Sequence, residues 1–267
     1  PESGSRVPDR NTRRHRLDVA REEENRLLQE AMRNAFRARK THVAGGNDEH
    51  IPLHSKPVRT LKYYRLVRWN SRLQQLLRWN LDPALYEEIA TDEDALKNFI
   101  SSINYDDLRI LVRDGIIEPM NPEDVRRTAI AFTVIEERDG KARRRFILWP
   151  KQLNKELSFY SPEFKVNTVI DDLAEIYEGT HAAVFDLAVG FWQCLLFEKV
   201  RAFFAFKTKY GTFAPKRMCM GVRPSPEVMH EILQTMVDEA IRRTQQTKVK
   251  AATYIDGVRF VGSEESV

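Results

Sequence analysis

Apolar positions along this chain recur at about every 3.6 residues in some stretches and every second residue in others, which separates helical from extended segments. Residues 17–40 carry Leu27, Ala31 and Ala35 beside Leu28, Met32 and Phe36. This i, i+4 stripe has Glu22, Glu23 and Glu24 early and Arg37, Arg39 and Lys40 late, the charge order that suits a helix dipole. Such a helix needs a domain or a partner to pack on, because alone it is marginal in water. Ala44-Gly45-Gly46-Asn47 ends it and opens a linker through Pro52 and Pro57. Residues 61–79 interleave Leu61, Tyr64, Leu66, Val67, Trp69, Leu73, Leu76, Leu77 and Trp79 with four arginines. They read as an amphipathic helix docked on a core, or as aromatics and cations that stack bases and hold phosphates. Further helices are predicted over 92–103, with Thr91 as N-cap, and over 108–115, ending at Gly115.

Extended segments follow. A strand over 129–136 turns at Asp139-Gly140 and returns through 145–148. Asp171-Asp172 starts a helix that Gly179-Thr180 ends, a strand over 182–187 delivers Asp186, and 203–208 begins a hairpin through Tyr210-Gly211-Thr212. A long helix over 226–245 precedes a run from Thr253 to Phe260 broken by Asp256-Gly257. Asp186 and Asp256 each stand at the edge of an apolar run, where a buried carboxylate is costly unless it meets a metal or a hydrogen-bond donor. Asp-Gly is also the commonest tight hairpin turn, and a hairpin and a metal site are compatible.

Composition narrows the picture. At 267 residues and 42% hydrophobic content the chain is large enough for one large domain or two small ones with a packed core. No run approaches the ~18 apolar residues of a membrane span. The start, Pro1-Glu2-Ser3, has neither Met nor an apolar signal core, so the chain reads as a soluble, intracellular piece of something longer, with no membrane partner. Cys194 and Cys219 lack metal-ligand spacing and read as buried hydrophobes. Net charge is +4, divided as +9 over residues 1–80 (18 Lys and Arg against 9 Asp and Glu) and −5 over 81–267 (25 against 30). The basic character lies in the arm, whose first 16 residues read as disordered, and which either follows phosphates or is a solvated tail.

The order of segments resembles the fingers and palm of a reverse transcriptase of the retroviral and LTR-retrotransposon type. Asp186-Leu187-Ala188-Val189-Gly190-Phe191-Trp192-Gln193 resembles the family's first catalytic motif, an Asp-Leu followed by Gly-Phe-x-Gln, and Tyr254-Ile255-Asp256-Gly257 resembles its Tyr-x-Asp-Asp hairpin with Gly in place of the second Asp. Gly115-Ile116-Ile117-Glu118-Pro119, Leu153-Asn154-Lys155 and Met218-Cys219-Met220-Gly221-Val222-Arg223-Pro224-Ser225-Pro226 resemble further family segments in the same order. The resemblance implies an α+β, right-hand polymerase fold with an antiparallel palm sheet backed by helices. Here it would be preceded by a basic arm (1–57) and a helical extension (58–107), with the reverse-transcriptase-like region at 108–267.

It also implies a two-metal phosphoryl transfer in which Asp186 and Asp256 hold Mg2+ or Mn2+. Arg145 would grip the nucleotide triphosphate, Val189 and Gly190 would pass their backbone beneath it, Phe191 would exclude a ribose 2′-hydroxyl, and Met220 and Gly221 would line the pocket. Phe191 reads equally as plain core. Partners would be an RNA or DNA template–primer and deoxynucleotides, within a larger polyprotein or ribonucleoprotein.

Departures matter too. Glu136 and Glu137 stand where the family has basic residues, and would repel a triphosphate unless they face away, while Arg143, Arg144 and Arg145 compensate or are solvated. Gly257 removes a carboxylate, so metal binding is expected to be weakened, and Arg259 is expected on the same side of its strand. The chain ends ten residues after Gly257, with no segment for a thumb or a ribonuclease H domain. The expected function is template-directed DNA synthesis in impaired form, the alternative a catalytically inactive nucleic-acid-binding scaffold.

Overall fold

The computed structural model describes residues 41–44, 48, 50–56, 58–89, 94–138, 140–158, 176, 179–245 and 248–263. The predicted disorder of 1–16, the helix over 17–40, the Gly45–Asn47 turn, the Thr91 cap and the helix start at Asp171-Asp172 lie outside them. In chain order the elements are β1 (Thr41–Val43), α1 (Ser71–Leu76), α2 (Arg78–Leu81), α3 (Ala84–Ile89), α4 (Tyr105–Arg113), β2 (Ile117–Pro119), β3 (Ile130–Arg138) and β4 (Lys141–Trp149). There follow α5 (Lys151–Leu157), β5 (His181–Asp186), β6 (Phe206–Thr208), β7 (Gly211–Pro215), α6 (Ser225–Thr244), β8 (Lys250–Tyr254) and β9 (Gly257–Gly262). The described residues form a mixed α+β fold with three small antiparallel sheets, ordered β1-β3-β4, β2-β7-β6 and β5-β9-β8.

The longest pairing is β3 with β4, in register from Ile130 opposite Trp149 to Arg138 opposite Lys141. The stretch read as linker does not run free. Thr41–Val43 pairs with Val134–Glu136 on the outer edge of β3. Residues 51–56 lie along the other edge, where Leu53 bridges Arg144 in parallel, Arg144 N donates to Pro52 O (2.9 Å) and His54 N donates to Arg144 O (2.6 Å). Ser55 Oγ ties this strap to Asp114 at the end of α4.

The 61–79 region is docked on the core, but as short pieces rather than one helix: 3₁₀ turns at Tyr63–Arg65 and Val67–Trp69 precede α1 and α2. Asn70 makes the break. It is extended (φ −145°, ψ 106°), and its side chain caps α1 by accepting from Leu73 N at 3.0 Å. Tyr63, Leu73, Leu77, Trp79, Leu85 and Tyr86 share one buried cluster with Phe146, Trp192, Phe204 and Met229. Tyr86 stacks on Phe203 (4.4 Å between centroids) and Trp79 meets Phe204 edge-on. The extension therefore has no core of its own; it completes that of the rest. Cys194 and Cys219 are free and buried.

No helix forms over the described part of 92–103. Asp94 accepts from Leu96 N in a local turn, and Ile100 and Ser101 are drawn onto β6, with Ser101 N donating to Lys207 O at 2.7 Å. Tertiary pairing overrides the local pattern there. Helix α4 starts earlier than predicted because Asn104 caps it, accepting from Asp107 N at 2.7 Å. Among the described residues no helix is long and apolar enough to cross a membrane.

Candidate functional site

Strand β5 ends at Asp186 and β9 begins at Gly257, and the two residues face each other in register. The two-residue turn Ile255-Asp256 joins β8 to β9, so Asp256 is carried to the end of β5, where its carbonyl accepts from Leu187 N at 2.8 Å. Two carboxylates seventy positions apart in the chain are thereby neighbours. Gly257 stands directly beside the first of them: a Cβ at 257 would lie 3.2 Å from Asp186 Oδ1. Gly190 has a packing reason of its own, since a Cβ there would lie 3.1 Å from the Asp256 Cβ and 3.3 Å from Met229 Sδ. The absent side chain lets the 255–256 turn settle onto the 187–190 turn.

Both turns carry backbone strain at a β-branched residue. Val189 has φ 50° and Ile255 φ 55°, in the left-handed region that such side chains avoid, and both pack against the core. Strain of this kind costs on the order of 1–3 kcal/mol per residue and persists where surrounding packing enforces it. Here it fixes the two loops that carry the aspartates.

Asp186, Val189, Gly190, Phe191 and Asp256 line one cavity of about 490 Å3 together with Arg145 and Met220. Gly221, expected with them, is not in its wall. It sits behind, with φ 97°, where a Cβ would come within 2.4 Å of Leu148 O on β4. Asn154 of Leu-Asn-Lys holds that turn, donating to Gly221 O at 2.7 Å and accepting from Arg223 N at 2.8 Å. Phe191 borders the cavity and also packs on the buried cluster.

The three consecutive arginines do not act together. Alternation along β4 turns Arg144 away from its neighbours, into a buried pair with Asp107 of α4. Arg143 and Arg145 remain on the cavity side. Nor does Glu136 face away. It lines the same cavity, and its Oε2 accepts from Arg143 Nε and Arg145 Nε, each at 2.7 Å. Glu137, one residue on, is exposed. Burial would raise the Glu136 carboxyl, but hydrogen bonds and charge from Arg143 and Arg145 hold it below the usual carboxylate range. Burial pushes Asp256 up, and the Asp186 charge adds to this, with Arg145 opposing.

Two cavity residues escaped the sequence reading. His54 and Lys56, from the strap, line the wall beside Arg143 and Arg145. The available signal was weak: an i, i+2 pair of basic side chains, on one side of any extended segment, inside a stretch whose prolines suggested a linker. Arg259 does share the face of Gly257, since the rung Val184–Arg259–Ala252 lies two rungs from Asp186–Gly257–Tyr254. It borders a shallow depression with Asp186 and Asp256.

Hard oxygen donors in a like-charged pair suit a divalent cation such as Mg2+ or Mn2+, which takes one or two carboxylates and completes its shell with water and phosphate oxygens. Among the described residues no group of three or more His, Cys, Asp or Glu side chains gathers as a metal site; Asp186 and Asp256 are a pair that line one cavity. No protein-family model matches the chain, and no match was found among curated proteins.

Proposed function

We propose that this chain is the fingers and palm of a reverse-transcriptase-like nucleotidyltransferase, which binds a deoxynucleoside triphosphate in the 490 Å3 cavity over a nucleic-acid template–primer and turns over poorly. The observation that carries this reading is the charge make-up of one cavity: Asp186 and Asp256 share its wall with Arg143 and Arg145. A triphosphate would meet the guanidiniums with its tail and the carboxylates, through a metal, with its reacting phosphate. The collinear motifs of the sequence support the same assignment.

Arg145 would grip phosphate, its orientation fixed by Glu136 and by a contact from Nη1 to Met220 Sδ (3.7 Å). The strained 187–190 turn would pass its backbone beneath the phosphates, and Phe191 would bound the sugar. Asp186 and Asp256 would hold a divalent metal, which when bound supplies charge neutralisation at the phosphoryl oxygens and activates the attacking hydroxyl. Gly257 contributes no carboxylate beside Asp186, so nucleotide binding outlasts turnover. That same glycine favours the second reading, a catalytically inactive nucleic-acid-binding scaffold.

Calorimetry tests the site. Mn2+ is expected to bind weakly, to be lost in Asp186→Asn, and to bind several-fold more tightly in Gly257→Asp, whose new carboxylate would lie against Asp186. Equal Mn2+ binding by wild type, Asp186→Asn and Gly257→Asp would remove the metal site and the enzyme reading with it. Template-dependent incorporation of labelled nucleotide, abolished by Asp186→Asn, would decide against the scaffold.

A further inference from the structure

The strap formed by residues 51–56 lies outside the part of the chain that carries the family-like motifs, yet it reaches the cavity. Its seating is specific. Backbone bonds join Pro52 and His54 to Arg144, the Arg144 guanidinium donates to Ile51 O at 2.6 Å, and Ser55 holds Asp114. Extended geometry then turns His54 and Lys56 to one side, and both line the cavity next to Arg143 and Arg145.

The charge balance explains what they add. Glu136 is shared by Arg143 and Arg145, so these three groups together contribute only +1. That is little for a polyphosphate. Lys56 doubles it to +2, and a protonated His54 would bring it to +3. Asp186 and Asp256 line the same cavity and repel an unshielded anion, which raises the need for the added cations.

We propose that Lys56 and His54 complete a polyphosphate-binding subsite with Arg143 and Arg145, and that His54 takes up a proton as the polyphosphate binds. In the nucleotide context this rests on the function proposed above, with the tail of the triphosphate as the occupant; for inorganic polyphosphate it stands alone. Burial holds the His54 imidazole below its ordinary value, and Arg143, Arg145 and Lys56 press it lower, against Glu136 alone. A bound polyanion reverses the sign of the local potential and favours the imidazolium.

The experiment is calorimetric titration with inorganic tripolyphosphate, without metal, at pH 6, 7 and 8, in buffers of differing ionisation enthalpy. Wild type is expected to bind more tightly at pH 6 than at pH 8, with net proton uptake near pH 7. Lys56→Gln, at an exposed position, is expected to weaken binding about 5-fold or more at low salt. His54→Gln is expected to abolish the proton uptake and flatten the pH dependence. Wild-type affinity and uptake in both variants would overturn the proposal. A deoxynucleoside triphosphate that binds equally well to wild type and to both variants would also overturn it, while leaving the function proposed above intact. Conversely, Lys56-dependent tripolyphosphate binding that no nucleotide displaces would sustain the subsite and sink that function.

Discussion

Removing either partner of the Arg144–Asp107 pair tests how the cavity is held. Arg144 is 6% exposed and Asp107 2%, and the guanidinium also donates to Ile51 O, so one side chain links β4, α4 and the strap. Arg144→Met leaves the buried Asp107 carboxylate without that guanidinium and strips the Ile51 carbonyl of its donor. Asp107→Leu leaves a buried guanidinium that keeps the Ile51 carbonyl. Breaking a buried pair from one side costs about 3–5 kcal/mol, whereas replacing both partners by apolar groups is close to neutral. Against a total stability of order 5–15 kcal/mol, each single variant should stay folded at 25 °C with a much lower urea midpoint. Arg144→Met should be the worse of the two. The double variant should be more stable than either single one, with an unchanged denaturant slope. Single variants that lose less than about 1 kcal/mol, or a double variant whose loss equals the sum, would refute the assignment of this pair as the pin between sheet, helix and strap.

Gly221→Ala is expected to destabilise by at least about 2 kcal/mol, seen in the same urea titration, because φ 97° is unfavourable for alanine and its Cβ would strike Leu148 O. Asp256 has a raised carboxyl pKa, so its ionisation opposes folding above its folded value, and the penalty fades as pH falls through that value. Asp256→Asn should therefore raise the urea midpoint at pH 7, by a margin that shrinks toward pH 4, while weakening Mn2+ binding. Deleting residues 1–40, and not the core-forming residues that follow, should lower RNA affinity and flatten its dependence on salt if the arm follows phosphates. An unchanged slope would make the arm a tail or a protein contact.

Elements governed by local rules were legible in the sequence. The β3–β4 hairpin has a run of β-branched residues and Asp-Gly at its turn, and α6 has twenty residues of helical pattern, so neighbours along the chain specify both. The aspartates were legible for a different reason: an acid at the end of an apolar strand is conspicuous wherever it goes. What escaped depended on partners distant in sequence. Residues 51–56 have no alternation, and only the edge of β4 makes them a strand-like strap. Residues 94–103 lost a predicted helix to pairing with β6. Arg144 and Arg145 look equivalent as letters; only the pleat, with Asp107 on one side and Glu136 on the other, separates a buried tie from a cavity-facing cation.

The order β5-β9-β8 also governs when the site comes into existence during synthesis. β5 carries Asp186, but its only strand partner among the described residues is β9, which leaves the ribosome after every other described strand. A nascent chain that has emerged as far as Tyr254 holds the first aspartate on an unpaired strand, whose Val184 and Phe185 stay exposed even in the folded protein. An unpaired edge of that kind is a template for pairing with another chain. Once residues 257–262 arrive, they zip β5 to β8 and bring in the second aspartate in the same step. Translation that halts between residues 187 and 255 thus yields a product with one carboxylate and an unpaired strand, and completion of β9 pairs one edge of β5 in the same step that brings the two aspartates together.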